Sequence, residues 1–389
     1  MTDRFCWHPD ARLYDADGRE LCPPPPDHPP FGPVIGASAE GLAQAIGLSC
    51  FRLGAMDQPG PQPAKEPVFE TLTSGSTGSP RRILRTQASW MASFAVSSGM
   101  GIGPGARVAV LGQLVHSLAL YAAIEALHLG CHLHLYDSLR PAAQARALAR
   151  DRITHVYGTP AQLRLVVASG GTYPDLQRLL IGGAKLDAPL RQALASAAPS
   201  ARIHEFYGAS ETSFITLASP DTPPGAVGQA YPGVAIRLDD DGEIWVRSPY
   251  LFLTYPCDPG HARWRDGWLS TGEVGRMAGG FLYLSGRKGR MVTIADQNVY
   301  PEAVETLLAD QPGVDRAAVL PVPDGLRGHV LVAMAQGDRT HEAQIMAALR
   351  ARLGPLKAPK AMIWLEEWPL LPSGKTDLVQ LRDRLKWPG

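Results

Sequence analysis

Cysteine is scarce in this sequence: five in 389 residues, at Cys6, Cys22, Cys50, Cys131 and Cys257. Their number is odd, their spacing wide, and none forms a CxxC pair. A disulfide framework and a structural zinc site are therefore not indicated, and reduced thiols in a cytoplasmic protein are expected. Cys6 and His8 lie close together, but no second ligand pair accompanies them. Net charge is also missing. Lys+Arg and Asp+Glu balance at 37 each, so no general basic surface argues for nucleic acid as a partner. No stretch approaches the ~18 uninterrupted apolar residues of a membrane span. The opening MTDRFCWHPD has no apolar signal core, so neither export nor membrane insertion is expected. What remains is an ordinary globular composition, 45% hydrophobic and 19% charged, long enough for two or three domains.

Residues 1–67 are rich in Pro and Gly, including Pro23–Pro26, with one short helical pattern over Ala39–Ile46. They read as an irregular lead-in packed on the body, or a partly mobile arm. Over 68–213, apolar runs at Arg107–Leu111, His132–Tyr136, His155–Tyr157 and Leu179–Ile181 predict buried strands. Helical patterns at Leu118–Leu129, Ala142–Ala149, Ala161–Ala168 and Ala188–Ala197 alternate with them. This α/β alternation predicts a mostly parallel sheet flanked by helices. Residues 214–286 turn β-rich, and Ile236–Val246 alternates on either side of Asp241-Gly242, a hairpin signal. Asp239–Asp241 reads as its solvated turn, since the other oxygen ligands of a calcium loop are missing. Gly286-Arg-Lys-Gly-Arg290 suits a hinge. Residues 1–286 thus form a large N-terminal domain, and 287–389 a small mobile α+β C-terminal domain. The latter should hold a helix from Pro301, strands near Ala317–Pro321, Val330–Ala335 and Met362–Leu365, and helices at Glu342–Leu353 and Thr376–Leu385.

The chemistry starts at Thr73-Ser-Gly-Ser-Thr-Gly-Ser-Pro-Arg81. Glycines let a backbone pass close to phosphate oxygens and leave N–H groups open to an anion. Hydroxyls of Thr73, Ser74, Ser76 and Thr77 add donors around Gly75 and Gly78, and Arg81 adds charge. It is not a Walker A loop, because no Gly-Lys-Ser/Thr follows at the required distance. In composition alone, a phosphate cradle and a flexible Ser/Gly linker remain equally open.

The order of residues is more specific. The run resembles the phosphate loop of the adenylate-forming superfamily: acyl- and aryl-CoA ligases, peptide-synthetase adenylation domains and luciferases. Four further segments resemble that family, in the family's order: Gly182-Gly-Ala-Lys185, Tyr207-Gly-Ala-Ser-Glu-Thr212, Ser270-Thr-Gly-Glu273 with Gly286-Arg287, and Pro372-Ser-Gly-Lys375. The resemblance implies ATP as cosubstrate with its triphosphate on Thr73–Gly78. Gly183 and Ala184 would line the adenine and acid sites, Tyr207 stack on adenine, and Gly208 sit beside it. Thr212 would approach the α-phosphate, and Glu211 help hold Mg²⁺. Glu273 and Arg287 would bind ribose and phosphate. Lys375 would insert between the substrate carboxylate and the α-phosphate. In isolation, Ser210-Glu-Thr212 could also cap a helix, and Lys375 could be an ordinary loop lysine.

His116, at the start of the helix after Arg107–Leu111, matches a family position bordering the acid pocket. A helix-start histidine bonded to backbone is its bland alternative. No Asp occurs in Gln113–Leu118, where amino-acid-activating members of the family place one. The resemblance therefore implies activation of a small aryl or short acyl carboxylic acid to its acyl-AMP, then transfer to the thiol of CoA. An acyl carrier protein's phosphopantetheine is the alternative acceptor, and a catalytically silent nucleotide-binding regulator is the alternative of another class.

Departures from the family pattern also stand out. Glu273 replaces the usual Asp, Thr293 a common Lys, and Asp296 a Gly beside the expected pantetheine tunnel. Only 72 residues precede the loop, fewer than the family norm, so part of a sheet-bearing subdomain should be reduced. A homodimer could cover the gap.

Overall fold

A computed structural model describes residues 3–25, 33–73, 81–295, 297–371 and 374–385. Ser74, Gly75, Ser76, Thr77 and Gly78, which carry most of the phosphate-loop expectation, lie outside them, as do Asp296, Pro372 and Ser373.

Among the described residues the core is a nine-stranded sheet. Arg107–Val110, His132–Leu135, His155–Gly158, Arg178–Ile181 and Arg202–Ala209 run parallel in it. Each of the first four leads into a helix: Ser117–Leu129, Pro141–Arg150, Pro160–Ala168 and Ala188–Ala197. The apolar runs needed no alternation because these strands are covered on both faces. The helix Ser117–Leu129 is buried from Ala119 to Leu127, including Glu125, so it lies inside the protein rather than on its surface. It packs on the strands beneath it, on the helix Gln87–Ser98 and on the strand Val68–Leu72.

The described part of 1–67 packs on the body, but it is not the irregular segment that its composition predicts. Arg12–Tyr14 pairs parallel with His132–Leu135 and carries Glu20–Leu21 as the sheet's edge. Val34–Ile35 and Cys50–Leu53 join Val68–Leu72 and Arg82–Thr86 in a separate four-stranded sheet. These strands are two to four residues long, too short for a periodic signal, and proline-rich stretches hide their flanks. Their anchor is Phe5, fully buried against Phe69 (ring centroids 5.3 Å apart) and Phe51 (6.3 Å).

The β-rich part forms as expected. Ala235–Leu238 and Glu243–Arg247 make the hairpin, followed by the long strands Trp268–Ala278 and Phe281–Arg287. Within its turn the Asp239 carboxylate accepts the backbone N–H groups of Asp241 and Glu243, at 3.1 and 2.7 Å.

After a single tight turn at Lys288–Arg290, the small C-terminal domain pairs Val314–Asp324 with Gly328–Gly337 and adds Ala361–Trp364. Pro301–Ala309 and Glu342–Lys357 pack with this sheet, the second helix breaking at Gly354 (φ 77°). The last helix begins at Leu378, not at Thr376. Thr376 is held in a bridge with Leu370, and Asp377 caps the helix by accepting from Val379 N (3.0 Å) and Gln380 N (3.1 Å).

Candidate active site

The carboxyl ends of the parallel strands open onto a cavity of about 380 Å³. This is where an α/β sheet places its ligands. His116 and Ser117 enter it from the start of the buried helix, Tyr157 and Thr159 from a strand end, Gly183 from a further loop and Gly208 from the end of the strand Arg202–Ala209. Two bonds to one carbonyl fix the His116 segment: Leu72 N donates to Val115 O (3.0 Å) and the Thr71 hydroxyl to the same oxygen (3.1 Å). The strand leading into the Ser/Gly-rich loop thus also positions His116.

Lys375 reaches the same cavity from the small domain. Beside it, Gly374 N donates to Leu371 O and Leu371 N to Lys375 O, both at 2.8 Å. Gly374 has φ +78°, and a Cβ there would stand 3.2 Å from Ala161 on the large domain. Glycine therefore serves both the turn and the close approach. Burial lowers the Lys375 pKa first, and the Arg287 charge lowers it further, while Glu211 and Glu273 oppose both. The His116 pKa is lowered by burial and then by the Lys375 ammonium. His116 makes no side-chain cap bond, and its buried Nδ1 has no hydrogen-bond partner among the described residues. That is not the backbone-bonded helix-start histidine of the bland reading.

Tyr207, Gly208, Glu211 and Thr212 lie at a strand-to-strand reversal, since Arg202–Ala209 runs antiparallel to Ser213–Leu217. No helix is capped there. Thr212 is buried, its Oγ1 accepting from Ala209 N at 3.0 Å. A Cβ on Gly208 would overlap the Ser213 carbonyl oxygen, so only glycine closes this turn. Glu211 accepts a 2.7 Å bond from the Tyr255 hydroxyl. The Tyr207 hydroxyl donates to Glu273, whose other oxygen lies 3.5 Å from Arg287 Nε.

Several residues of the site escaped the sequence reading. Arg85 is fully buried, donates to Ser210 O (2.6 Å), Ser213 Oγ (2.9 Å) and Tyr250 O, and so clamps the turn carrying Glu211. Burial pulls its pKa down to about 9, against the pull of Glu211. A signal existed: Arg85 shares the buried face of Arg82–Thr86 with Ile83, an odd place for a charge. Tyr255, bonded to Glu211, and Asp137, in the cavity lining, were also missed as groups at the site. At the other end of the expectations, Thr73 N donates to Arg81 O (2.8 Å) and Arg81 N to Thr73 Oγ1 (3.0 Å), closing the neck of the Ser/Gly-rich loop. Ala184 is exposed beside Gly183.

No group of three or more His, Cys, Asp or Glu side chains among the described residues could enclose a metal by itself. A single carboxylate such as Glu211 fits Mg²⁺, which takes one or two carboxylates with the rest of its shell from phosphate and water.

Residues 25–256 match the family description AMP-binding enzyme, and residues 303–375 match AMP-binding enzyme C-terminal domain. An uncharacterized acyl–CoA ligase of Bacillus subtilis is 31% identical over 327 residues, 80% of this chain and 67% of that protein. Indoleacetate–CoA ligase of Aromatoleum aromaticum is 28% identical over 90% of this chain and 71% of its own length. Among solved structures, o-succinylbenzoate CoA synthetase from Bacillus subtilis, in complex with its acyl-adenylate intermediate, has a TM-score of 0.69 at 25% identity, covering 81% of this chain and 68% of that one. An amide bond synthetase from Marinactinospora thermotolerans has a TM-score of 0.73 at 25% identity, covering 91% of this chain and 79% of that one. With a large sheet-rich domain, a small C-terminal domain and both family matches in order, the chain belongs to the AMP-binding enzyme family and is an AMP-forming ligase.

Proposed function

We propose that this ligase activates a small aryl or short acyl carboxylic acid to its acyl-AMP with release of pyrophosphate, then transfers the acyl group to the thiol of CoA. One observation carries the reading: Lys375 of the small domain shares a cavity with His116 and Gly208 of the large domain. Names of relatives add the substrate class, since indoleacetate–CoA ligase and o-succinylbenzoate CoA synthetase both take a carboxylic acid and CoA.

In the first half-reaction the substrate carboxylate, already ionised near pH 7, attacks the α-phosphorus of ATP. The bond to the bridging oxygen of pyrophosphate breaks, so no side-chain nucleophile or base is required. The residues then supply positioning and charge. Lys375 places an ammonium between carboxylate and α-phosphate, Thr212 approaches that phosphate, and Thr73 through Gly78 cradle the β- and γ-phosphates. Tyr207 covers the adenine, with Gly183 and Ala184 beside it, while Glu273 and Arg287 hold the ribose. Glu211 would hold Mg²⁺, which when bound offsets the charge of the triphosphate. His116 borders the acid, its imidazole kept neutral by burial and by Lys375.

For the second half-reaction, the domain of residues 287–389 turns about Gly289, withdraws Lys375 and admits the thiol. Its sulfur attacks the acyl carbonyl and AMP leaves. Among the described residues no helix is long and apolar enough to cross a membrane.

Acid-dependent exchange between ATP and labelled pyrophosphate, run over a panel of acids, tests the first step. Exchange with aryl or short acyl acids is expected. Exchange with long-chain or amino acids alone would overturn the substrate class, and none with any acid would overturn adenylation. Presenting CoA, a holo-carrier protein and an amine to the pre-made acyl-AMP then identifies the acceptor.

A further inference from the structure

Glu125 sits in the middle of the fully buried stretch of Ser117–Leu129, where a charged side chain is expected to be excluded. Its partners are hydroxyls. Tyr121, one turn earlier on the same face, lies 2.9 Å from Oε1, and Tyr157, from the strand below, bonds to Oε2. Tyr121 also lies 2.7 Å from Ser93 Oγ, and Ser93 Oγ donates to Trp90 O at 2.7 Å. Ser97 is the remaining hydroxyl that bears on the carboxyl, and no Lys, Arg or His among the described residues forms an ion pair with it.

Counting protons along this chain of contacts decides its direction. Four contacts link Tyr157, Glu125, Tyr121, Ser93 and the Trp90 carbonyl, and the three hydroxyls supply three protons. A protonated Glu125 supplies the fourth. Tyr157 then donates to Glu125, Glu125 to Tyr121, Tyr121 to Ser93, and Ser93 to Trp90 O. Each phenol proton is committed inward, so the unused capacity of Tyr121 and Tyr157 is as acceptors.

Both tyrosines, with Trp90, Phe206 and Phe214, line the cavity that holds His116 and Lys375. That part of the lining is aromatic, and the phenols of Tyr121 and Tyr157, their protons turned inward, can offer a ligand there only acceptors. We propose that the acid taken by this enzyme carries a hydrogen-bond donor, such as a hydroxyl, amino or ring N–H group, at the end remote from its carboxylate, received by Tyr121 and Tyr157. Glu125 acts as a positioning residue by fixing which way their protons point. The proposal rests on the reading of this cavity as the acid site. A purely apolar pocket cannot reject an analogue that differs by one hydroxyl, whereas one with placed hydrogen-bonding groups can.

The test uses pyrophosphate exchange with benzoate, phenylacetate and cinnamate, each unsubstituted, para-hydroxylated and para-methoxylated. A methoxy group fills the same space and can only accept. Wild-type kcat/KM should favour a hydroxylated acid over both of its analogues by about tenfold or more. Tyr157→Phe should bring that ratio close to one. Glu125→Gln should keep it, since its amide can donate to Tyr121 and accept from Tyr157 as the protonated acid does. Turnover of the analogues without preference, or a ratio unmoved by Tyr157→Phe, overturns the proposal and leaves adenylation standing. Exchange with none of the nine acids overturns the reading beneath it as well.

Discussion

Glu273 stands directly opposite Arg287 on two antiparallel strands, its Oε1 3.5 Å from the guanidinium Nε, while its Oε2 accepts the Tyr207 hydroxyl. The pairing ties two of the sequence motifs to one carboxylate. The ladder slips by one residue at Val274/Gly275, immediately after Glu273, a local adjustment next to a side chain one methylene longer than the family's aspartate.

If this carboxylate holds the ribose, Glu273→Gln should raise KM for ATP about tenfold with a smaller effect on kcat, because ribose is held alike in ground and transition states. Glu273→Asp should not rescue it fully, since the shorter side chain cannot reach both Tyr207 and Arg287 from the same backbone. Titrating ATP in the exchange assay checks both variants. An unchanged KM in Glu273→Gln would remove the ribose role.

For Lys375 the expectation concerns pH as well as rate. Lys375→Ala should lose acid-dependent exchange by at least about a hundredfold while the enzyme still thiolates pre-made acyl-AMP. Loss of both activities would contradict the division of labour between half-reactions. Burial and Arg287 lower the Lys375 pKa, so its ammonium deprotonates below the ordinary lysine range as pH rises. The kcat/KM profile for adenylation should therefore fall on its alkaline side earlier than a free lysine would dictate. Lys375→Arg, weak as it is expected to be, should lack that limb.

Much of this was legible from local pattern. Each apolar run and helical period between Arg107 and Ala197 became an element of the expected kind, because strands buried on both faces and helices flanking them write their environment into consecutive residues. Lys375, singled out by its motif, and His116, singled out by its place at a helix start, line one cavity. Illegible were pairings made by packing alone. Arg85 reaches Ser210 across 125 residues, and Glu125 reaches Tyr157 across 32. A single chain's pattern records which face of an element is buried, not which other face it meets. The short strands Arg12–Tyr14 and Cys50–Leu53 failed for a different reason, since the first is only three residues long and Arg52 interrupts the apolar run of the second.

At Gly208 the steric demand is absolute. A side chain there would overlap the Ser213 carbonyl, and the turn is already clamped by Arg85 on Ser210 and Ser213. Gly208→Ala should cost on the order of 3 kcal/mol and displace the reversal that carries Glu211 and Thr212. Urea unfolding and exchange activity should both decline. Wild-type stability in this variant would mean that the turn relaxes freely.

Glu125 also makes stability depend on pH in a defined direction. Burial raises its pKa to about 7, and the Ser97, Tyr157 and Tyr121 hydroxyls only partly offset that. The folded state thus holds this proton more tightly than the unfolded chain, whose glutamate titrates near pH ~4.3. The resulting stability is fully present below that lower value and is lost as pH rises through about 7, where folding must bury a carboxylate. Glu125→Gln carries no such proton. The difference in unfolding free energy, wild type minus Glu125→Gln, should fall by on the order of 2–3 kcal/mol between pH 4.5 and 8. Denaturant melts of both proteins across that range provide the measurement. Parallel pH profiles would mean that Glu125 keeps an ordinary pKa in the fold, which would also remove the proton that orders Tyr121 and Tyr157.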